Sequence, residues 1–156
     1  MGMTSMDAET AETVQTGFLA AVPFARTLGV EFDELDYGRA VLRLPDNPEH
    51  HNHLGGPHAG AMFTLAESAS GAIVIGTFGD QLERAVPLAV RAEIHYQRLA
   101  MGAVVAEATL GRSRSEIVAE LDAGTRSEFT VEIELRTQDD SVSGLMSVVW
   151  TLKPTS

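Results

Sequence analysis

The sequence predicts an α+β fold: a curved antiparallel sheet of about six strands wrapped around one long central helix. Three observations point there. Apolar runs separated by turn residues recur along the chain, at 30–35, 40–44, 86–99, 103–110, 128–136 and 142–152. The run EFTVEIELR, 128–136, alternates without a break. Phe129, Val131, Ile133 and Leu135 share one face, and Glu128, Thr130, Glu132, Glu134 and Arg136 share the other, which is the pattern of a half-buried strand. Finally, residues 58–78 form a helical stretch that is apolar on every side, so it needs cover on every side. A sheet curled around it, helped by a second subunit, supplies that cover.

The elements follow in chain order. Residues 9–21 read as a short amphipathic helix, with Val14, Phe18, Leu19 and Val22 toward the core, ending before Pro23. Residues 1–22 are thus an N-terminal extension with its helix, and 23–156 the main domain. Val30 to Leu35 and Ala40 to Leu44 pair around the turn DYGR. Residues 45–57, PDNPEHHNHLGGP, are a loop. Pro57 precedes the long helix, where its fixed φ and missing N–H do little harm, and Gly79-Asp80 stops it. Val86 to Leu99 is a long strand with Leu88, Val90, Ala92, Ile94 and Tyr96 near a period of two, and Ala103 to Leu110 is another. Ser113 with Glu116 three residues on is a capping box. Ile117, Val118 and Leu121 give that short helix one apolar side, and Gly124 ends it. The turn QDDS leads to a last strand containing Trp150.

Composition narrows the function. A chain of 156 residues with 44% apolar content fits one ordinary globular domain. A net charge of −11 argues against nucleic acid or an anionic membrane as the main partner, since both require a basic face. With no cysteine, disulfides, thiol nucleophiles and cysteine–zinc sites are excluded. The first residues carry acids where a signal peptide carries bases. Glu67, glycines and hydroxyls interrupt residues 59–78, so the stretch reads as a buried helix and not a membrane span. The expected location is the cytoplasm.

The stretch EHHNHLGGPHAGAMFTLAE, 49–67, holds four of the five histidines and then one carboxylate within an apolar helix. The N–H groups of Ala59, Gly60 and Ala61 begin that helix as free donors at a positive dipole end, suited to a carbonyl oxygen becoming an oxyanion. Glu67, in apolar surroundings, resists ionising. Eight residues separate Ala59 from Glu67, about 12 Å of helix. One helix cannot bring both to the same carbonyl. If both act on one substrate, Glu67 comes from a second subunit.

Asn52, Gly55-Gly56, His58-Ala59-Gly60 and Glu67 resemble the motif of the hot-dog-fold acyl-CoA thioesterases, in the group of the phenylacetate-pathway and hydroxybenzoyl-CoA enzymes. The resemblance extends over roughly residues 28–153, and the segment near 113–124 looks like a poorly characterised branch. It implies an acyl-CoA substrate, no cofactor or metal, and a homodimer or a dimer of dimers. Asn52 and His58 would position the thioester or a water. The N–H of Ala59, with that of Gly60, would polarise the carbonyl. Glu67 of the partner chain would activate water as general base or attack as nucleophile. Gly56, Ser68, Ser70 and Gly71 are candidate substrate contacts. Arg112 and Arg114 are candidates for the CoA phosphates, ahead of Arg84, Arg91 and Arg98.

The chain departs from that pattern in two places. Ala59 stands where Gly is usual, and its methyl narrows the site. One branch has Thr where this chain has Gly71, and another has Ser near Ala85. These departures favour the alternative of a non-catalytic acyl-CoA- or lipid-binding dimer. A further alternative is enoyl-CoA hydration through Asp46 and His51, which flank Asn47-Pro48. His50, His51 and His53 are close enough in sequence to be considered for zinc, but they sit in a loop without the H-E-x-x-H spacing.

Overall fold

The computed structural model describes residues 4–155. Its elements are α1 (Ala8–Ala21), α2 (Pro23–Leu28), β1 (Glu31–Asp36), β2 (Arg39–Leu44), α3 (Ala59–Phe78), β3 (Ala85–Tyr96), β4 (Val104–Leu110), α4 (Arg114–Asp122), β5 (Ser127–Thr137) and β6 (Val142–Pro154). The strands form one six-stranded antiparallel sheet in the order β1-β2-β4-β5-β6-β3.

Strand alternation decides which side chains meet α3. Ala40, Leu42 and Leu44 of β2, Val104, Ala106 and Ala108 of β4, and Phe129, Val131, Ile133 and Leu135 of β5 are all buried with the apolar residues of α3. The sheet therefore wraps the helix as the alternating patterns require. The segment Ala59–Gln81 is long and apolar enough to cross a membrane, but 67% of its most apolar window is buried inside this fold. Helix α1 packs on α3. Its Phe18 is buried and meets Phe32 edge-on, with ring centroids 5.7 Å apart. The predicted capping box opens α4, where the Ser113 hydroxyl accepts from the Glu116 N–H at 3.2 Å. Ile117 and Leu121 are buried beneath that helix, and Gly124 follows it at φ 74°.

Two helix ends fall where expected, with added detail, and one expectation is corrected. Pro23 ends α1 but also starts α2, because its fixed φ suits the first helical position. A 3₁₀ turn, Gly79–Gln81, continues the end of α3. In β3 the register slips between Ala89 and Arg91. Leu88 lies opposite Thr151 on one face, whereas Ala92 and Ile94 lie opposite Val148 and Met146 on the other. The expected single face of β3 is thus split by a bulge at Val90, which moves every later side chain to the opposite face.

Candidate active site

The loop before α3 is built around Asn52. Its Oδ1 accepts from the Leu54 N–H at 2.8 Å and the Gly56 N–H at 3.3 Å. Its backbone N–H donates to the Gly56 carbonyl at 2.7 Å. Gly55 takes φ 79° at the tip, a left-handed conformation that glycine adopts freely. Gly56 is buried against the β3–β4 connection. A Cβ there would lie 2.3 Å from the Ala100 carbonyl oxygen and 2.9 Å from Met101 Sδ, so only glycine fits. The His58 N–H donates to the His50 carbonyl at 2.7 Å and closes the loop onto the start of α3.

His58 is the N-cap of α3: its Nδ1 accepts from the Gly60 N–H at 2.8 Å. This corrects the expectation for Gly60, whose N–H is occupied by the cap and is not a free oxyanion donor. The Ala59 N–H has no hydrogen-bond partner among the described residues. Its carbonyl accepts from the Tyr96 hydroxyl at 2.8 Å, which ties the end of β3 to the helix start. Asn52, Ala59, Met62, Tyr96, Arg98 and Leu99 are among the residues lining a cavity of about 360 Å³ at this point. Burial pushes the Tyr96 phenol up from its ordinary pKa. Sequence reading missed Tyr96 as a site residue. It appeared only as one apolar position of a strand, and nothing local marks a strand end that reaches a helix N-terminus.

Most of α3 is covered by its own sheet, but one stripe is not. Gly60 is exposed, and Phe63, Thr64 and Glu67 are half-buried. Their spacing puts them on one face. Glu67 has no ion pair or side-chain hydrogen bond among the described residues, and burial raises its pKa above the ordinary carboxylate value. It lines a second cavity, of about 170 Å³, with Phe18, Val22, Gly71, Pro87 and Trp150 among its walls.

The remaining candidates fall elsewhere. Ser70 is fully buried, donating to the Glu67 carbonyl at 2.7 Å and accepting from Trp150 Nε1 at 3.0 Å. Its hydroxyl locks α3 to β6 and is not available to a substrate, a correction to the sequence reading. Ser68 is buried as well. Arg112 holds Glu120 at 2.5 Å and the Glu128 carbonyl at 2.8 Å. Arg114 holds Asp80 and donates to the Thr77 carbonyl at 3.0 Å. Both guanidinium groups are therefore committed near the C-terminal end of α3, about 27 Å of helix from Ala59. Within one chain they lie apart from the helix start. Asp46 and His51 do meet, at 2.7 Å. Among the described residues no three His, Asp or Glu side chains converge as a metal site.

Residues 10–152 match a family described as a domain of unknown function, DUF4442. No curated protein matches the sequence significantly. Among solved structures, a Pseudomonas aeruginosa protein of unknown function described as a probable thioesterase superposes with TM-score 0.82 at 24% identity, over 99% of this chain and 98% of that one. The E. coli PaaI protein of the phenylacetic acid degradation operon gives TM-score 0.73 at 16% identity, over 93% and 94%. A thioesterase family protein from Silicibacter pomeroyi gives 0.72 at 19%, over 93% and 98%. The fold is the hot-dog fold of these thioesterase-family structures, a sheet wrapped around a central helix.

Proposed function

This chain belongs to the DUF4442 family, and we propose that it hydrolyses an acyl-CoA thioester to the free acid and CoA in a site shared by two subunits. The observation that carries the reading is Glu67. It is a carboxylate on an apolar wall without a partner among the described residues, on the one stripe of α3 that its own sheet leaves open. Structural glutamates are normally paired. An unpaired one in a cavity fits a proton-transfer role.

The second subunit follows from geometry. Ala59 and Glu67 are about 12 Å apart along α3 and line different cavities. Strand β3 is a sheet edge with Val86, Val90 and Tyr96 exposed at 44%, 45% and 47%. Exposed apolar side chains on an unpaired edge call for cover. Pairing two β3 edges about a two-fold axis would continue the sheet and set two α3 helices side by side, open stripe to open stripe. Glu67 of the partner subunit would then face the Ala59 N–H.

In that site the thioester carbonyl oxygen accepts from the Ala59 N–H at the positive end of the α3 dipole. Asn52 and His58 hold the loop and the helix start in place. Glu67 of the partner subunit takes a proton from water, whose oxygen attacks the carbonyl carbon. The oxyanion collapses, the carbon–sulfur bond breaks, and the thiolate leaves with that proton. The apolar setting that raises the pKa of Glu67 makes it a stronger base. If Glu67 attacked as a nucleophile and water then opened the anhydride at the Glu67 carbonyl, a single turnover in ¹⁸O-water would leave no label in the first acid released. General base catalysis places the label there at once.

The test is free-CoA release from short, medium, long and aromatic acyl-CoAs by the wild type and Glu67→Ala. The expected loss in the variant is at least about 100-fold. Equal activity in both would overturn the role of Glu67. A wild type inactive on every ester would leave the acyl-CoA-binding dimer. The Asp46–His51 contact supports a second reading, hydration of an enoyl-CoA. Loss of enoyl-CoA hydration in Asp46→Asn would favour it.

A further inference from the structure

We infer that the cavity beside Glu67 is the acyl pocket and a size filter, admitting a single ring or a chain of roughly six carbons, with Gly71 setting its limit. The inference rests on the thioesterase reading only for the chemistry that delivers the acyl group. The cavity is about 170 Å³. Phe18 and Val22 of the α1 end, Gly71 of α3, Pro87 of β3 and Trp150 of β6 form much of its wall, and among the described residues Glu67 is the one charged residue lining it. An aliphatic and aromatic cavity of roughly 150 Å³ stays dry and takes a benzene. The group it suits is therefore a hydrocarbon of that size, and a phosphate or sugar would be excluded.

The orientation follows from α3. Gly71 is one turn beyond Glu67, on the same face. Val74 and Ile75 lie a turn further on and also line the cavity. A carbonyl held at Glu67 therefore sends its acyl group toward Gly71, away from the α3 N-terminus. The subunit that supplies the acid also holds the acyl group, and the other subunit faces the thiol side. Gly71 stands where a side chain would project into this space. A Cβ there would sit 3.4 Å from Phe18 Cε2 and 3.8 Å from the Trp150 ring, in ordinary contact. Gly71→Ala should therefore fold and constrict the pocket between Glu67 and Val74–Ile75, so that a shorter acyl group fills what remains. Val22 is half-buried in the part of the wall supplied by the end of α1, so Val22→Ala should enlarge the pocket.

Trp150 is the only tryptophan of the chain and stands in the wall, so its emission reports occupancy whether or not turnover occurs. The experiment titrates wild type, Gly71→Ala and Val22→Ala with acetyl-, butanoyl-, hexanoyl-, octanoyl-, dodecanoyl- and benzoyl-CoA. It reads Trp150 emission and CoA release in parallel. Wild-type affinity should rise about fourfold per methylene until the cavity is full, near hexanoyl, and fall by dodecanoyl. The maximum should move to a shorter chain in Gly71→Ala and to a longer one in Val22→Ala. Emission changes with that size limit but no CoA release would overturn hydrolysis and keep the pocket. CoA release with the same chain preference in all three proteins would overturn the pocket and keep hydrolysis. Neither signal with any ester would overturn both.

Discussion

Glu67 is the residue on which the chemistry turns, and its protonation has a consequence for stability that is independent of any substrate. Burial raises its pKa in the folded chain above the ordinary value of 4.5. The folded state therefore binds the proton more tightly than the unfolded state does. That contribution to stability is fully present below the unfolded pKa and is lost as pH rises through the folded one. Glutamine cannot ionise, so Glu67→Gln should melt higher than the wild type at pH 8, with the difference closing toward pH 4. Thermal unfolding across that range checks it. A variant that is less stable at pH 8 would mean that the carboxylate has a favourable partner in the assembled protein. Glu67 was legible in the sequence, because a lone acid in an apolar helix is conspicuous. Tyr96 and Trp150 were not, since each reads as one more apolar position until the fold brings it to α3.

Among the elements, the β2–α3 loop and strand β3 matter most. The loop positions the α3 N-terminus through contacts that leave almost no room at Gly56. Gly56→Ala would place a methyl 2.3 Å from the Ala100 carbonyl oxygen, which must push the β3–β4 connection away. The expected loss is about 1–3 kcal/mol in a urea melt, with activity falling as the Ala59 N–H shifts. A fully stable and active variant would show that the loop does not need this contact. The sequence showed the loop through its prolines and glycines, and His58 at a helix start. It did not show that His58 would occupy the Gly60 N–H, because which donor a cap takes depends on loop geometry. Strand β3 was legible as a strand, but its bulge was not. A slip of one residue is decided by pairing with β6, and local alternation does not record it.

At the scale of the whole molecule, the proposed dimer divides each site between two chains. Asn52→Ala and Glu67→Ala should each be nearly inactive alone. Mixed after unfolding and refolding together, they should recover about a quarter of wild-type activity, since half the dimers are mixed and each mixed dimer holds one intact site. No recovery, in a mixture that forms mixed dimers, would place Asn52 and Glu67 in the same chain's site. The acid excess of the chain, −11 overall, is not concentrated on β3, whose exposed residues include Val86, Val90 and Tyr96 and one Arg and one Glu, Arg91 and Glu93.

The sequence by itself determined the α+β class, the order of most elements, the central helix and the isolation of Glu67. All of these follow from periodicity and from the rarity of a charge in an apolar run, both local properties. Tertiary structure decided which hydroxyls and arginines were already engaged. Ser70 is held by Trp150, eighty residues away in the chain, and Arg114 by Asp80, thirty-four away. It also decided that α1 closes a cavity over Gly71, and that one stripe of α3 stays open. Those are matters of which distant surfaces meet, and hydrogen-bond satisfaction and cavity shape exist only once they do.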